Sequence, residues 1–276
     1  MEKVIELKGS QDGPTSMILV GVHGDEKCGI DALEELLPAL EIVRGRVLIA
    51  YGNPHAIKQN VRFTETNLNR MFKSDDLLSE DDKKTYEYQR AQFIKPYLNQ
   101  ADAALDIHAS HTPGSRPFII SEPKALDIVS RLPISLVVSG FDQLEPGGTD
   151  FYMNKKGGIG ICVECGYLQD PATTDTAKES ILSFLRMREH TEGETKKTEQ
   201  LRIDMYHIHL THTDAFVLTK PFDDFESITQ GQLIGMDGEI EIRAPKNGVI
   251  LFARNRDRVG AEAFLLGEVK EKNDLA

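Results

Sequence analysis

Apolar residues come along this chain in short runs that alternate with stretches of helical spacing. Residues 16–22 (Ser-Met-Ile-Leu-Val-Gly-Val) form a continuous run, the pattern of a strand covered on both faces. Ile30, Leu33, Leu36, Leu37 and Leu40 then recur at helical spacing. A second strand is expected over 46–51, closed by the turn Gly52-Asn53-Pro54, and a polar connection over 55–80. Helical periodicity returns over 86–98, with Pro96 warping the last turn. Apolar runs at 103–108, 117–120, 134–138 and 159–163 predict further strands, and 123–131 and 174–190 predict helices. This alternation predicts an α/β fold: a mixed, largely parallel sheet flanked by helices.

The pattern changes after a charged, apolar-poor linker at 192–200. Residues 201–276 lose helical periodicity and carry turn signals at Gly231, Gly235, Asp237-Gly238, Asn247-Gly248 and Gly260. The expected division is a larger α/β domain over 1–195 and a small all-β domain over 200–276. No internal repeat or low-complexity tract interrupts either part.

Charge narrows the partners. With 32 basic and 44 acidic residues the net charge is −12, which argues against a phosphate-backbone partner and hence against nucleic acid. A local pocket can still carry positive charge for a small anion. No apolar run approaches the ~20 residues of a membrane span, and Met1-Glu2-Lys3-Val4-Ile5 lacks the apolar core of a signal peptide. A cytoplasmic protein without a membrane partner is expected; the oligomeric state is open. Cys28, Cys162 and Cys165 give no disulfide framework. Cys162 and Cys165 suit either buried small hydrophobes or a redox pair, the former being the commoner use.

Four segments carry chemistry. His23 and Glu26, in Gly21-Val22-His23-Gly24-Asp25-Glu26, are spaced to converge on one ion from a tight strand-to-helix turn, with Gly21 and Gly24 easing the backbone path. His108, in Asp106-Ile107-His108 at the end of another strand, adds a third donor. Two histidines and one carboxylate form a ligand set that leaves zinc an open position, although other divalent ions accept the same donors. Asp106 suits either orienting a ligand imidazole or facing water. Glu164, in Val163-Glu164-Cys165-Gly166, is a carboxylate in apolar company, fit to be a general base or a buried ion-pair partner. In the stretch 62–70, Arg62 suits an oxyanion, while Asn69 and Arg70 suit a substrate carboxylate; a solvated polar loop is the plainer reading. His23, Asn53, His108 and Glu164 all fall at or just past the carboxyl ends of expected strands, where an open α/β sheet places its ligand crevice.

Taken in order, with Gly52-Asn53-Pro54 and Asn67-Leu68-Asn69-Arg70, these motifs resemble the succinylglutamate desuccinylase/aspartoacylase family of the zinc carboxypeptidase-like superfamily. The resemblance spans roughly residues 15–190 and implies one zinc ion per chain, held by His23, Glu26 and His108. It implies Glu164 as general acid/base, Arg62 polarising the scissile carbonyl, and Asn69 and Arg70 binding the carboxylate of an N-acyl amino acid-like substrate. A carboxypeptidase acting on peptides, or a non-catalytic binding protein on the same fold, are the alternatives. The chain departs from the family's usual residues at Asp25 (often Asn), at His55 (often Arg) and at Ala109-Ser110 (usually Asn-Thr).

The C-terminal segment 236–245 resembles the hairpin of biotinyl and lipoyl carrier domains, but Asp237 stands where the modified lysine would be. A structural barrel-sandwich-like domain is therefore expected. His207, His209 and His212 suit surface positions on a strand, with a second metal site as the alternative.

Overall fold

The computed structural model describes residues 2–270. The first seven strands are β1 (Ile5–Lys8), β2 (Gln11–Val20), β3 (Arg44–Tyr51), β4 (Ala103–Ser110), β5 (Phe118–Ser121), β6 (Leu136–Ser139) and β7 (Ile159–Tyr167). The C-terminal region contributes β8 (Leu201–Leu210), β9 (Phe216–Leu218), β10 (Glu226–Ile228), β11 (Leu233–Asp237), β12 (Ile240–Arg243), β13 (Gly248–Leu251) and β14 (Glu262–Lys270). The α-helices among the described residues are α1 (Cys28–Leu36), α2 (Pro54–Gln59), α3 (Tyr86–Gln100), α4 (Leu126–Val129), α5 (Phe141–Leu144), α6 (Thr149–Lys155) and α7 (Ala172–Met187).

One eleven-stranded sheet, in the order β1-β3-β2-β4-β7-β5-β6-β8-β14-β13-β10, forms the body of the molecule. Its centre, β3-β2-β4-β7, is parallel, while β5 runs antiparallel to β7, so the sheet is mixed. The apolar runs explain this placement, because a parallel strand is buried on both faces. All eight residues of β4 are buried. Alternate side chains serve opposite cores. Met17, Leu19, Leu48 and Ala104 pack with Ile94 and Leu98 of α3 and Met153 of α6. Ile18, Val20, Ile49 and Leu105 pack with Leu33 of α1 and with Ile181 and Phe184 of α7. At roughly 1.5–3 kcal/mol per fully buried large aliphatic side chain, these two layers outweigh any local helix preference.

Several elements differ from the periodicity. The apolar repeat at 30–40 leaves α1 at Leu36 and continues as a 3₁₀ turn, Leu37–Ala39, since Pro38 has no N–H to extend the helix. The expected helix over 123–131 is a 3₁₀ turn, Pro123–Ala125, followed by the short α4. The expected polar connection hides α2: the Asn53 side chain accepts from Ala56 N and Pro54 takes the first turn.

The residues beyond 200 join the same sheet. Strand β8 pairs in parallel with β6, Leu136 opposite Leu201, and β14 and β13 follow antiparallel. A separate three-stranded sheet, β12-β11-β9, packs beside them. His207 is exposed, as expected, but His209 is buried, because the β11–β12 hairpin covers that face. Its ring stacks on Phe264 with centroids 5.1 Å apart, and its Nε2 meets Asp237 Oδ2 at 3.1 Å. Asp237 is fully buried and also accepts from His212 N, Thr213 N and Thr213 Oγ1 at 2.6–2.9 Å. A carboxylate with four donors is a structural lock, not a carrier position. Asp237→Ala strands these donors, and the expected cost is about 3 kcal/mol. At this chain length that lowers Tm by roughly 6–12 °C in a thermal melt.

Candidate active site

The carboxyl ends of the parallel strands β2, β4 and β7 open on one edge of the sheet, where a cleft of about 740 Å³ gathers the expected side chains. After β2 the chain turns sharply. Gly21 adopts φ +63°, and a Cβ on Gly24 would lie 2.1 Å from the Ala56 carbonyl carbon, so only glycine lets α2 close on this loop. The turn presents His23 and Glu26 side by side ahead of α1.

His23, Glu26 and His108 converge, with potential ligand atoms all within 4.8 Å of one another, and all three are buried. Glu26 Oε1 lies 2.8 Å from His23 Nδ1, and Glu26 Oε2 lies 2.9 Å from His108 Nδ1. The two Nδ1 atoms are 3.2 Å apart. Each ring has an oxygen at its other nitrogen: Asn67 Oδ1 at 3.0 Å from His23 Nε2, and Asp106 Oδ2 at 3.2 Å from His108 Nε2. Asn67 hydrogen-bonds His23 Nε2, Asp106 stands beside His108 Nε2 without a hydrogen bond, and both Nδ1 atoms face the Glu26 carboxylate, an arrangement suited to a cation between them. The donor set therefore fits a divalent ion of the zinc type. Burial lowers His23 to about 4, keeping it neutral. Burial opposes ionisation of Glu26, but His23 and His108 hold it well below its usual range. Burial also opposes charge on His108, yet Asp106 and Glu26 push it upward. Asp106, itself buried and accepting from Thr149 Oγ1 at 2.5 Å, thus faces the imidazole and not water.

Glu164 lies inside β7, three residues before its end and not past it, directly opposite His108 of β4. Only 9 % of it is exposed, and its Oε2 is buried without a hydrogen-bond partner. Burial, then the charge of Glu26, pushes its carboxyl up to about 8. The ion-pair alternative finds no partner within salt-bridge distance among the described residues.

Arg62 reaches the cluster from the loop after α2 and donates to Glu26 Oε1 at 2.8 Å while lining the cleft. Asn69 lines it too, its Oδ1 unpartnered. Arg70 is already engaged: its guanidinium forms a two-pronged pair with Glu262 at 3.1 Å and a second ion pair with Glu145 at 3.1 Å. Glu262, Arg254 and Arg256, from the C-terminal region, complete this wall of the cleft.

Two positioning residues escape sequence reasoning. Asn67 orients His23 and caps the 3₁₀ turn Leu68–Arg70. Glu87, fully buried at the start of α3, accepts from Thr64 N at 2.7 Å, Thr64 Oγ1 at 2.6 Å, Thr66 N at 3.2 Å and Asn53 Nδ2 at 3.1 Å. It thereby anchors the loop that carries Arg62, Asn69 and Arg70. Its only sequence signal is a carboxylate in a helix's first turn, which ordinarily means no more than favourable interaction with the helix dipole. His55, by contrast, stacks on Tyr86 with centroids 3.8 Å apart. Cys28, Cys162 and Cys165 are free and buried, and burial pushes the Cys162 and Cys165 thiols well up, as inert core residues require.

Known proteins share this architecture. A succinylglutamate desuccinylase from Vibrio cholerae superposes with a TM-score of 0.83 at 18% identity, over 98% of this chain and 87% of that one. The product-bound ectoine utilization protein EutE (DoeB) from Ruegeria pomeroyi superposes with a TM-score of 0.73 at 21% identity, over 96% and 88%. In sequence, an N-alpha-acetyl-L-2,4-diaminobutyric acid deacetylase of Halomonas elongata is 27% identical over 88% of this chain and 78% of its own length. A succinylglutamate desuccinylase of Pseudomonas putida is 23% identical over 93% and 84%. Residues 12–191, which hold every element of the His23–Glu26–His108 cluster and Glu164, match the succinylglutamate desuccinylase/aspartoacylase catalytic domain, and the chain belongs to that family.

Proposed function

We propose that this chain is a zinc-dependent amidohydrolase that cleaves the amide bond of an N-acyl amino acid or a similar small carboxylate-bearing substrate. The observation that carries the reading is Glu164: a buried carboxyl without a partner, opposite His108 on the neighbouring strand and open to the same cleft. Relatives named as deacylases and desuccinylases support the substrate class. Zinc held by His23, Glu26 and His108 would supply Lewis acidity and bring the pKa of a bound water to about 7. Glu164 takes a proton from the attacking water and returns it to the departing amine nitrogen, with microscopic roles as base and then acid. Arg62 donates to the carbonyl oxygen as negative charge grows on it, which requires its guanidinium to share itself between Glu26 and substrate. Asn69 and Arg70 receive the substrate carboxylate. The test is release of free amino acid from a panel of N-acetyl, N-succinyl and peptide substrates by metal-replete protein. Turnover of dipeptides alone, or of none of the panel, would overturn the proposal.

Arg70 adds a pH dependence. Burial, and then Glu262, push Glu145 up to about 7 although Arg70 beside it favours ionisation. Below that pH Glu145 is neutral and Glu262 is the one carboxylate left on Arg70, so a substrate anion meets less competition; above it Glu145 is charged and competes as well. KM for a carboxylate substrate is therefore expected to rise several-fold between pH 6 and 8, and Glu145→Gln to flatten that rise in steady-state assays.

A further inference from the structure

Of the arginines that line the cleft, one is both partly buried and unpaired. Arg62 donates to Glu26, Arg70 is held by Glu262 and Glu145, and Arg256 donates through Nε to the Glu262 carbonyl oxygen at 2.6 Å. Arg258 is exposed. Arg254 lines the same cleft half-buried, and its guanidinium has no hydrogen-bond or ion-pair partner among the described residues. Burial, then the positive charges of Arg62 and Arg256, push it below its usual range, while Asp224 and Glu164 oppose the shift. A cation withdrawn from water beside two others favours an anion there.

The backbone is built to aim it. Asp224 Oδ1 accepts from Phe252 N at 3.0 Å, just past β13, and Asp224 Oδ2 accepts from Ser110 Oγ at 3.1 Å, at the end of β4. Phe252, at φ +55°, and Phe225, at φ +65°, both adopt the left-handed conformation, which is unfavourable for side chains of this size. Such strain persists only where the surroundings over-determine it, and it clusters at ligand clamps. Both rings pack on Phe118, with centroids 5.9 and 4.9 Å away. The segment leaving β13 is thus clamped to the strand that bears His108, and Arg254 follows the clamp by two residues.

We propose that Arg254 is a specificity-determining residue that receives a carboxylate at the far end of the substrate's acyl group, with Asp224 as its positioning residue. The assignment rests on the reading of this chain as an N-acyl amino acid hydrolase. On that reading Asn69 and Arg70 take the amine-side carboxylate and Arg62 the scissile carbonyl. The charged neighbours of Arg70 are Glu145, Glu262 and Asp150, whereas those of Arg254 are Arg62, Arg256, Asp224 and Glu164. The two cations stand at different places in the cleft, so the anion left for Arg254 lies beyond the carbonyl, on the acyl chain. Acyl groups that end in a carboxylate are then preferred to acetyl.

The test compares N-succinyl-alanine, N-acetyl-alanine and N-acetyl-aspartate with metal-replete, full-length protein. The wild type is expected to favour N-succinyl- over N-acetyl-alanine by roughly 10–100-fold in kcat/KM, the scale of one hydrogen bond to a charged group. Arg254→Met is expected to erase most of that ratio and Arg254→Lys to keep part of it. Binding of succinate by calorimetry, weakened by a similar factor in Arg254→Met, reads the same site without turnover. Equal kcat/KM for the two alanine substrates in the wild type, or a preference that survives Arg254→Met, would overturn the assignment and leave the hydrolase standing. A gain with N-acetyl-aspartate alone would overturn the acyl-side placement. Arg254-dependent succinate binding in a protein that turns over none of the three would overturn the hydrolase and leave Arg254 as an anion receptor. The wild-type ratio needs no variant, so a poorly folded substitution does not obscure the answer.

Discussion

Glu164→Gln is expected to lower kcat by about 10²–10⁴-fold while the protein keeps its metal. That is the usual scale for losing a general acid/base. Glutamine matches the carboxyl in shape, and Glu164 has no hydrogen-bond or ion-pair partner among the described residues, so the change removes proton transfer and little else. A stability signature accompanies the kinetic one. The folded-state carboxyl is raised from 4.5 to about 8, chiefly by burial, so the stabilising condition is the protonated one. Stability from this group is complete below pH 4.5 and is lost as pH rises through about 8. In metal-free protein, Glu164→Gln should therefore raise Tm relative to wild type at pH 7–8 and leave it alone at pH 4. Single-turnover rates, metal content and melts at both pH values check the claim. An unchanged kcat removes Glu164 from the chemistry.

Much of this site was legible because its parts are local. The His23–Glu26 turn, the strand bearing His108 and the strand bearing Glu164 each announce themselves within a few residues, and a parallel sheet brings strand ends to one edge. What sequence could not supply is long-range. Glu87 acts by accepting from five donors within residues 53–66, and nothing in its own neighbourhood marks it. Arg70 reads as available until Glu262, 192 positions away, takes its guanidinium. His209 alternates on β8 as a surface residue would, and only the return of the hairpin with Asp237 buries it. The strand ends, too, are set by tertiary pairing: the run expected at 16–22 begins at Gln11, because β3 pairs with residues that are not apolar. Short helices such as α5 and α6 have too few turns to leave a periodic trace.

His108→Ala is expected to cost more than any other single change, because under the proposed function His108 is a metal ligand and it is also the keystone of a buried charge cluster. Bound structural zinc contributes roughly 10–16 kcal/mol in small metallo-domains, so losing one of three protein donors removes on the order of a third of it. That lowers zinc affinity by about 10³-fold, and activity falls to background at micromolar metal. The packing consequence is separate. Glu26 and Asp106 both lean on the His108 ring, at 2.9 and 3.2 Å, and both are buried. Removing the imidazole leaves Glu26 with Arg62 but leaves Asp106 with Thr149 Oγ1 alone, facing a void. A buried charge stripped of its ionic partner costs about 3–5 kcal/mol. Zinc content by plasma mass spectrometry and Tm by calorimetry separate the two effects, and millimolar Zn²⁺ should restore part of the activity in the folded fraction. A variant that retains a full equivalent of tightly held zinc at the His23 site would mean that His108 is not a ligand.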